Sequence, residues 1–288
     1  MSKYYCLIAG LPNISSDDTK IPFTVSGFRE ELDGILTDAD KKLIDLFFLK
    51  FENKNLITQL KHPGQDPDER GRITFHEFNN LVKALKEEEK PPVNKQAPPY
   101  FEAFLKLYLD AETKNEPDVL WEDVLAALYY GYAAECKNEF VAGWFEMNLN
   151  INNMFTAITC REYGLDKAKY IIGNNPAACS LRTSNARDFG LGDTEDYLME
   201  AQRIAEESDL LLREKKTDLL KWQWLEDNTF FKTFDIESVF AYLLKLEMTE
   251  RWATLDSVAG EKAFRNLAGA MKKGSDNALE EFKRNNKK

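Results

Sequence analysis

Residues Asp66-Pro67-Asp68-Glu69-Arg70-Gly71-Arg72-Ile73-Thr74-Phe75-His76-Glu77 make the strongest local match to a ligand-binding motif in the chain. Acids at loop positions 1 and 3, Gly at 6, Ile at 8 and Glu at 12 are the skeleton of an EF-hand calcium loop, in which oxygen ligands surround a hard cation. The intervening residues oppose that chemistry. Arg70 at position 5 supplies no oxygen and puts a positive charge where the ion would sit, and Arg72 adds another. Pro63-Gly64 breaks the entering helix, and no second loop of this type exists to pair with it. The stretch therefore reads as a polar interhelical turn in which Gly71 takes an unusual backbone angle. A calcium-binding or other helical protein-interaction module built on residues 66–77 is the alternative function.

Other catalytic templates are missing. The sequence contains no GxGxxG, GxxxxGK[ST], HExxH or GxSxG. Gly190-Leu191-Gly192-Asp193 precedes a helix and could hold an anion at its N-terminus, but a carboxylate at Asp193 would repel that anion, so Asp193 reads as an N-cap. Only His62 and His76 are available for imidazole chemistry. Cys6, Cys136, Cys160 and Cys179 stand far apart and read as reduced, small apolar residues. The acid pairs Glu206-Glu207 and Glu280-Glu281 belong on solvated faces, because burying unpaired carboxylates is costly. An all-helical metallohydrolase would need inward acids from separate helices, and no Glu-x-x-His pair is present. The expectation is a non-enzyme with no cofactor and no metal.

Charge and hydropathy narrow the partners. The 288 residues carry 38 Lys+Arg against 49 Asp+Glu, a formal net charge of −11. That opposes nucleic acid as a partner, which requires a basic face. No stretch approaches the roughly 20 consecutive apolar residues of a membrane span, so direct membrane insertion is not expected. The apolar start, Tyr4 to Leu11, lacks a cleavage pattern and reads as a buried N-terminal strand or first helical turn rather than a signal peptide.

The elements that must position any site are helical. Asp38 or Asp40 can cap a helix whose apolar residues, Leu43 to Leu60, recur at helical spacing. A second helix fits Thr74 to Glu89, and Pro91 to Pro99, with four prolines, reads as an extended linker. Tyr100–Leu109 and Pro117–Tyr132 form a hairpin, followed by a long helix Lys137–Tyr163 broken at Gly164 and a short one Asp166–Ile172 stopped by Gly173-Asn174-Asn175-Pro176. Residues 177–192 read as irregular. Long helices are expected from Asp193 to Glu226, from Asp235 to Leu255 and from Gly260 to Arg284. Trp222 and Trp224 lie about 200° apart around one helix, so both cannot enter one narrow core stripe. One of them is a candidate partner-binding anchor.

Two segments carry a family resemblance. Asn150-Ile151-Asn152-Asn153-Met154-Phe155-Thr156-Ala157-Ile158-Thr159-Cys160-Arg161-Glu162-Tyr163-Gly164-Leu165 resembles a helix of the C-type subunit of V/A-type ATPases (the d-type subunit in eukaryotes), with Asn150 in place of its acid and Thr159 in place of its usual Arg. Val239 to Arg251 resembles that family's Tyr-Leu-Leu-x-x-Glu-x-x-x-Arg helix, and Tyr4 to Pro12 resembles an uncharacterised bacterial family associated with V-type ATPase operons. The resemblance implies an all-α, elongated, multi-lobed helical bundle, a three-lobed funnel. Its lobes would be residues 1–95, 96–176 and 177–288. It implies a non-catalytic adaptor that links the central rotor stalk to the membrane rotor ring, with those subunits as partners, at the cytoplasmic, inner face of the membrane. Along Asp235 to Leu255, the line Ile236, Phe240, Leu243, Glu247, Glu250 turns from apolar to acidic. Glu247 and Glu250 are therefore expected at a partner-binding rim, the alternative being an ordinary surface helix end with a Glu247–Arg251 pair at i,i+4.

Overall fold

The computed structural model describes residues 4–87, 97–114, 119–192, 194–255 and 265. Twelve α-helices and no strand occur among the described residues: α1 Tyr5–Gly10, α2 Val25–Asp33, α3 Asp38–Lys61, α4 Phe75–Lys86, α5 Pro99–Lys114, α6 Trp121–Ala134, α7 Glu139–Tyr163, α8 Lys167–Tyr170, α9 Pro176–Thr183, α10 Asp196–Ala205, α11 Leu210–Thr229 and α12 Ile236–Ala253. The protein is all-α. Most of the linker at Pro91 to Pro99, the Asp193 cap and the helix expected over residues 260–284 lie outside the described residues, apart from Arg265.

Capping chemistry sets most boundaries. α3 is capped by Thr37, whose Oγ1 accepts from the Asp40 amide, rather than by Asp38 or Asp40. Both acids instead lie in the first turn, where the helix dipole favours negative charge. Thr74 and Glu77 close a reciprocal capping box on α4. Gly164 ends α7 with φ at +65°, a left-handed conformation that costs little without a Cβ. Leu165 N then donates to Cys160 O at 2.8 Å.

Three expectations change. The single helix expected from Asp193 to Glu226 is two, because Asp209 Oδ1 accepts from the amides of Leu211 and Leu212 and starts α11 anew. Residues 176–183, expected to be mostly irregular, form α9, since Asn175 caps it and Pro176 occupies the first turn, where a missing N–H costs nothing. The N-terminal segment is a helix whose residues are not buried. Buried Tyr4 anchors it, through its hydroxyl on Asp40 and its amide on Phe234 O at 3.2 Å, while half-buried Ile8 packs against the core.

Two helices organise the core. α7 packs against α6, α8, α9, α10 and α12, while α12 packs against α2, α3, α7 and α11. One continuous apolar cluster runs from Tyr4 to Met248 and draws on all three segments named from the sequence. Phe240 of α12 meets Phe140 and Phe145 of α7 with ring centroids at 6.3 and 6.4 Å.

Candidate functional site

The turn at 66–77 is assembled from α3. Glu52, 4% exposed, accepts from the Arg72 amide at 2.5 Å and the Ile73 amide at 3.2 Å. Asn55, 1% exposed, donates to Asp68 O at 3.0 Å and accepts from Asp68 N at 2.7 Å. Asp68 receives Arg70 Nη2 at 2.7 Å and Lys54 Nζ at 3.0 Å, and Arg70 with Lys54 holds its carboxyl well below the usual carboxylate range. Glu77 is engaged in the capping box. Asp68 and Glu77 thus serve backbone amides and the Arg70 and Lys54 cations, and no group of three His, Cys, Asp or Glu among the described residues is placed to share an ion. Gly71 is not in the positive-φ region, contrary to expectation. It is needed for close approach, since a Cβ there would lie 2.4 Å from Asn55 Nδ2 and 3.0 Å from Glu52 Oε2.

The candidate partner-binding residues sit differently from a rim. Glu247 reaches Lys50 Nζ at 2.7 Å, and that ammonium lies 4.2 Å from the centre of the Phe47 ring. Burial alone would raise the Glu247 carboxyl, but Lys50, with Arg251 and Lys221 nearby, holds it below the ordinary range. Glu250 faces the N-terminus of α2 and accepts from Val25 N at 3.4 Å, with burial pushing its carboxyl up. Met248 and Thr249 are buried, so this half of α12 stays in the core. Physically, α2 and α3 cover the face that the acids were expected to show to a partner. The two tryptophans also face protein. Trp222 is 8% exposed and donates to Glu226 Oε1 at 2.9 Å, whereas Trp224 stacks on Phe140 at 5.5 Å and meets Trp144 at 5.9 Å. They point apart, as helical geometry requires, but α11 has a neighbour on each side.

Between α3, α6, α7, α11 and α12 lies a cavity of about 360 Å³, within the range of small-molecule sites. Phe47, Tyr129, Trp144 and Phe145 supply aromatic wall; Lys50, Lys221, Arg251, Glu214, Asp218 and Glu247 supply three charges of each sign. Arg251 bonds Glu214 at 3.1 Å and also Asp218, which receives Trp252 Nε1 at 2.6 Å. Burial pushes the Asp218 carboxyl above its usual range. The sequence reading missed this cluster. Its only trace was the Glu214, Asp218, Lys221 spacing on one face of α11, which is indistinguishable from an ordinary solvated face.

The outer surface of α11 is unusual for its apolar side chains. Leu210, Leu211 and Leu212 at its start are 64, 57 and 41% exposed, and Phe230 and Phe231 just past its end are 75 and 90% exposed. The helix spans about 30 Å, so apolar groups are displayed at both ends of one rigid element.

The segments that resemble the ATPase C-type subunit have structural roles. Asn150 accepts from Asn175 at 2.8 Å and donates to the Tyr197 hydroxyl at 2.9 Å. Asn153 holds both backbone groups of Ile172, at 2.8 and 3.1 Å. Arg161 donates to Arg187 O and Ala186 O and lies over the Phe189 ring. Tyr242 donates to Pro12 O at 2.9 Å, which ties the N-terminal segment to α12.

The chain belongs to the DUF2764 family, described as a protein of unknown function, whose sequence model matches residues 1–275. No curated protein and no solved structure matches it.

Proposed function

We propose that the chain is a non-catalytic adaptor subunit of a V/A-type ATPase, linking the central rotor stalk to the membrane rotor ring from the cytoplasmic side. The observation that carries the reading is the apolar display on α11, taken with the resemblance of the α7 and α12 segments. Exposed apolar side chains at and just beyond the ends of one rigid helix are held in place before docking, which lowers the ordering cost of binding. The all-α architecture supports the reading, and Asn150 and Asn153 of the resembling α7 segment are built into its packing. No helix among the described residues is long and apolar enough to cross a membrane, in keeping with a peripheral subunit. The net charge of −11 favours partners that present Lys and Arg, with association slowed by added salt.

The test is equilibrium binding of purified central-stalk subunits to the wild type and to a Phe230→Asp/Phe231→Asp variant. Burying one phenylalanine is worth about 1.5–3 kcal/mol, so the double variant should bind at least tenfold more weakly. Its helix content and melting temperature should not change, because both rings are exposed. Undiminished binding by the variant would remove this end of α11 from the interface.

A further inference from the structure

Charges in the cavity between α7, α11 and α12 do not all find partners. Glu247 is taken by Lys50, and Arg251 takes Glu214 and Asp218. Lys221 lines the same cavity, half-buried, and makes no hydrogen bond or ion pair with any described residue, although Asp218 and Glu247 act on it through their charge. An ammonium withdrawn from water without a partner is costly, and proteins ordinarily pair it or expose it. Leucine or methionine on this face of α11 would avoid that cost.

We propose that Lys221 is the anion-binding group of a small-molecule site, and that the ligand is an aromatic monocarboxylate. The carboxylate meets the Lys221 ammonium, and the ring lies against Trp144 and Phe145, which line the same cavity. Aromatic walls favour a flat apolar body through dispersion and edge-to-face contacts. The charge of the ligand is set by the neighbours. Glu214, Asp218 and Glu247 already line the cavity, so a phosphate dianion or a nucleotide would meet three carboxylates with one uncommitted cation. A single negative charge meets the one ammonium that no carboxylate bonds, with less repulsion from the three acids than a dianion would suffer. Burial holds the Lys221 amine below the usual lysine range, and a bound carboxylate would shift it back up. The site does not depend on the adaptor reading.

Calorimetric titration of the full chain with phenylacetate tests this, with benzyl alcohol as the neutral analogue and inorganic phosphate as the dianion. Phenylacetate should bind saturably, and Lys221→Met should weaken it roughly ten- to a hundredfold, the usual loss for one charge-assisted contact. Benzyl alcohol and phosphate should bind far more weakly. In the absence of ligand, Lys221→Met should leave the melting temperature unchanged or raised, because it removes an unpaired charge and keeps the aliphatic stem. The proposal is overturned by absence of saturable heat up to about 10 mM, a concentration at which even millimolar binding is visible. It is equally overturned by undiminished binding in Lys221→Met, or by phosphate binding as tightly as phenylacetate. A fall in the melting temperature of Lys221→Met would make the lysine a structural counterion of Asp218 and would also overturn it.

Discussion

Replacing Gly71 by alanine should be among the most damaging small substitutions in the N-terminal segment. The added methyl would sit 2.4 Å from Asn55 Nδ2 and 3.0 Å from Glu52 Oε2, both on α3 and both buried. Asn55 cannot retreat without losing its paired bonds to the Asp68 backbone, at 3.0 and 2.7 Å. Two neutral hydrogen bonds at about 1 kcal/mol each, plus part of a charged one at about 1.5–3 kcal/mol, are at stake. The lower chain entropy of alanine in the unfolded state returns up to about 1 kcal/mol. The net expectation is a loss of about 2–4 kcal/mol, read as a shift of the urea midpoint by far-UV circular dichroism. A methyl carbon on Gly131, in α6, would have no heavy atom within 4 Å, so Gly131→Ala should stabilise by about 0.5–1 kcal/mol through helix propensity. In an Asn55→Ala background the cost of Gly71→Ala should shrink, since the two changes share one contact. A Gly71→Ala effect within about 0.5 kcal/mol of wild type, the scatter expected of an unconstrained surface change, would refute the close approach.

Asp68→Asn should lower the melting temperature near neutral pH. Its carboxyl titrates below the unfolded value of 3.8, so its contribution is complete above that value and is lost as the pH falls further. The gap between wild type and variant should therefore narrow in acid, and a gap that widens below about pH 4 would contradict the Arg70 and Lys54 pairing. Asn153→Ala leaves both backbone groups of Ile172 without their partner, at a cost of about 2–3 kcal/mol. Hydrogen exchange at residues 171–175 should accelerate with it, and unchanged protection there would contradict the pinning role.

The helical class was legible because apolar spacing and stop signals act locally: Gly164 ends α7 where a left-handed residue is needed, and Pro63-Gly64 lies just past the end of α3 at Lys61. α2 escaped notice because its core residues, Val25, Phe28 and Leu32, occupy only two turns. The division of α10 from α11 turns on Asp209, one acid among several in a charged stretch. Side-chain direction was harder to read than element type. Glu247 and Glu250 share a helical line with apolar residues, and nothing local says that Lys50, 197 residues away, completes the pair. Lys221 is the same problem in reverse, since its lack of a partner exists only once five helices have come together. Gly71 was recognised as necessary, yet for its backbone angle rather than for the α3 side chains pressed against it.

The adaptor role is tested most directly by quantitative mass spectrometry of the native V/A-type ATPase, purified through a central-stalk subunit at low salt. This chain is expected there in fixed proportion, one copy per central stalk, lost together with the stalk when the complex is dissociated. Its absence from an intact, rotor-competent complex, or recovery only in trace and variable amounts, would contradict the adaptor role.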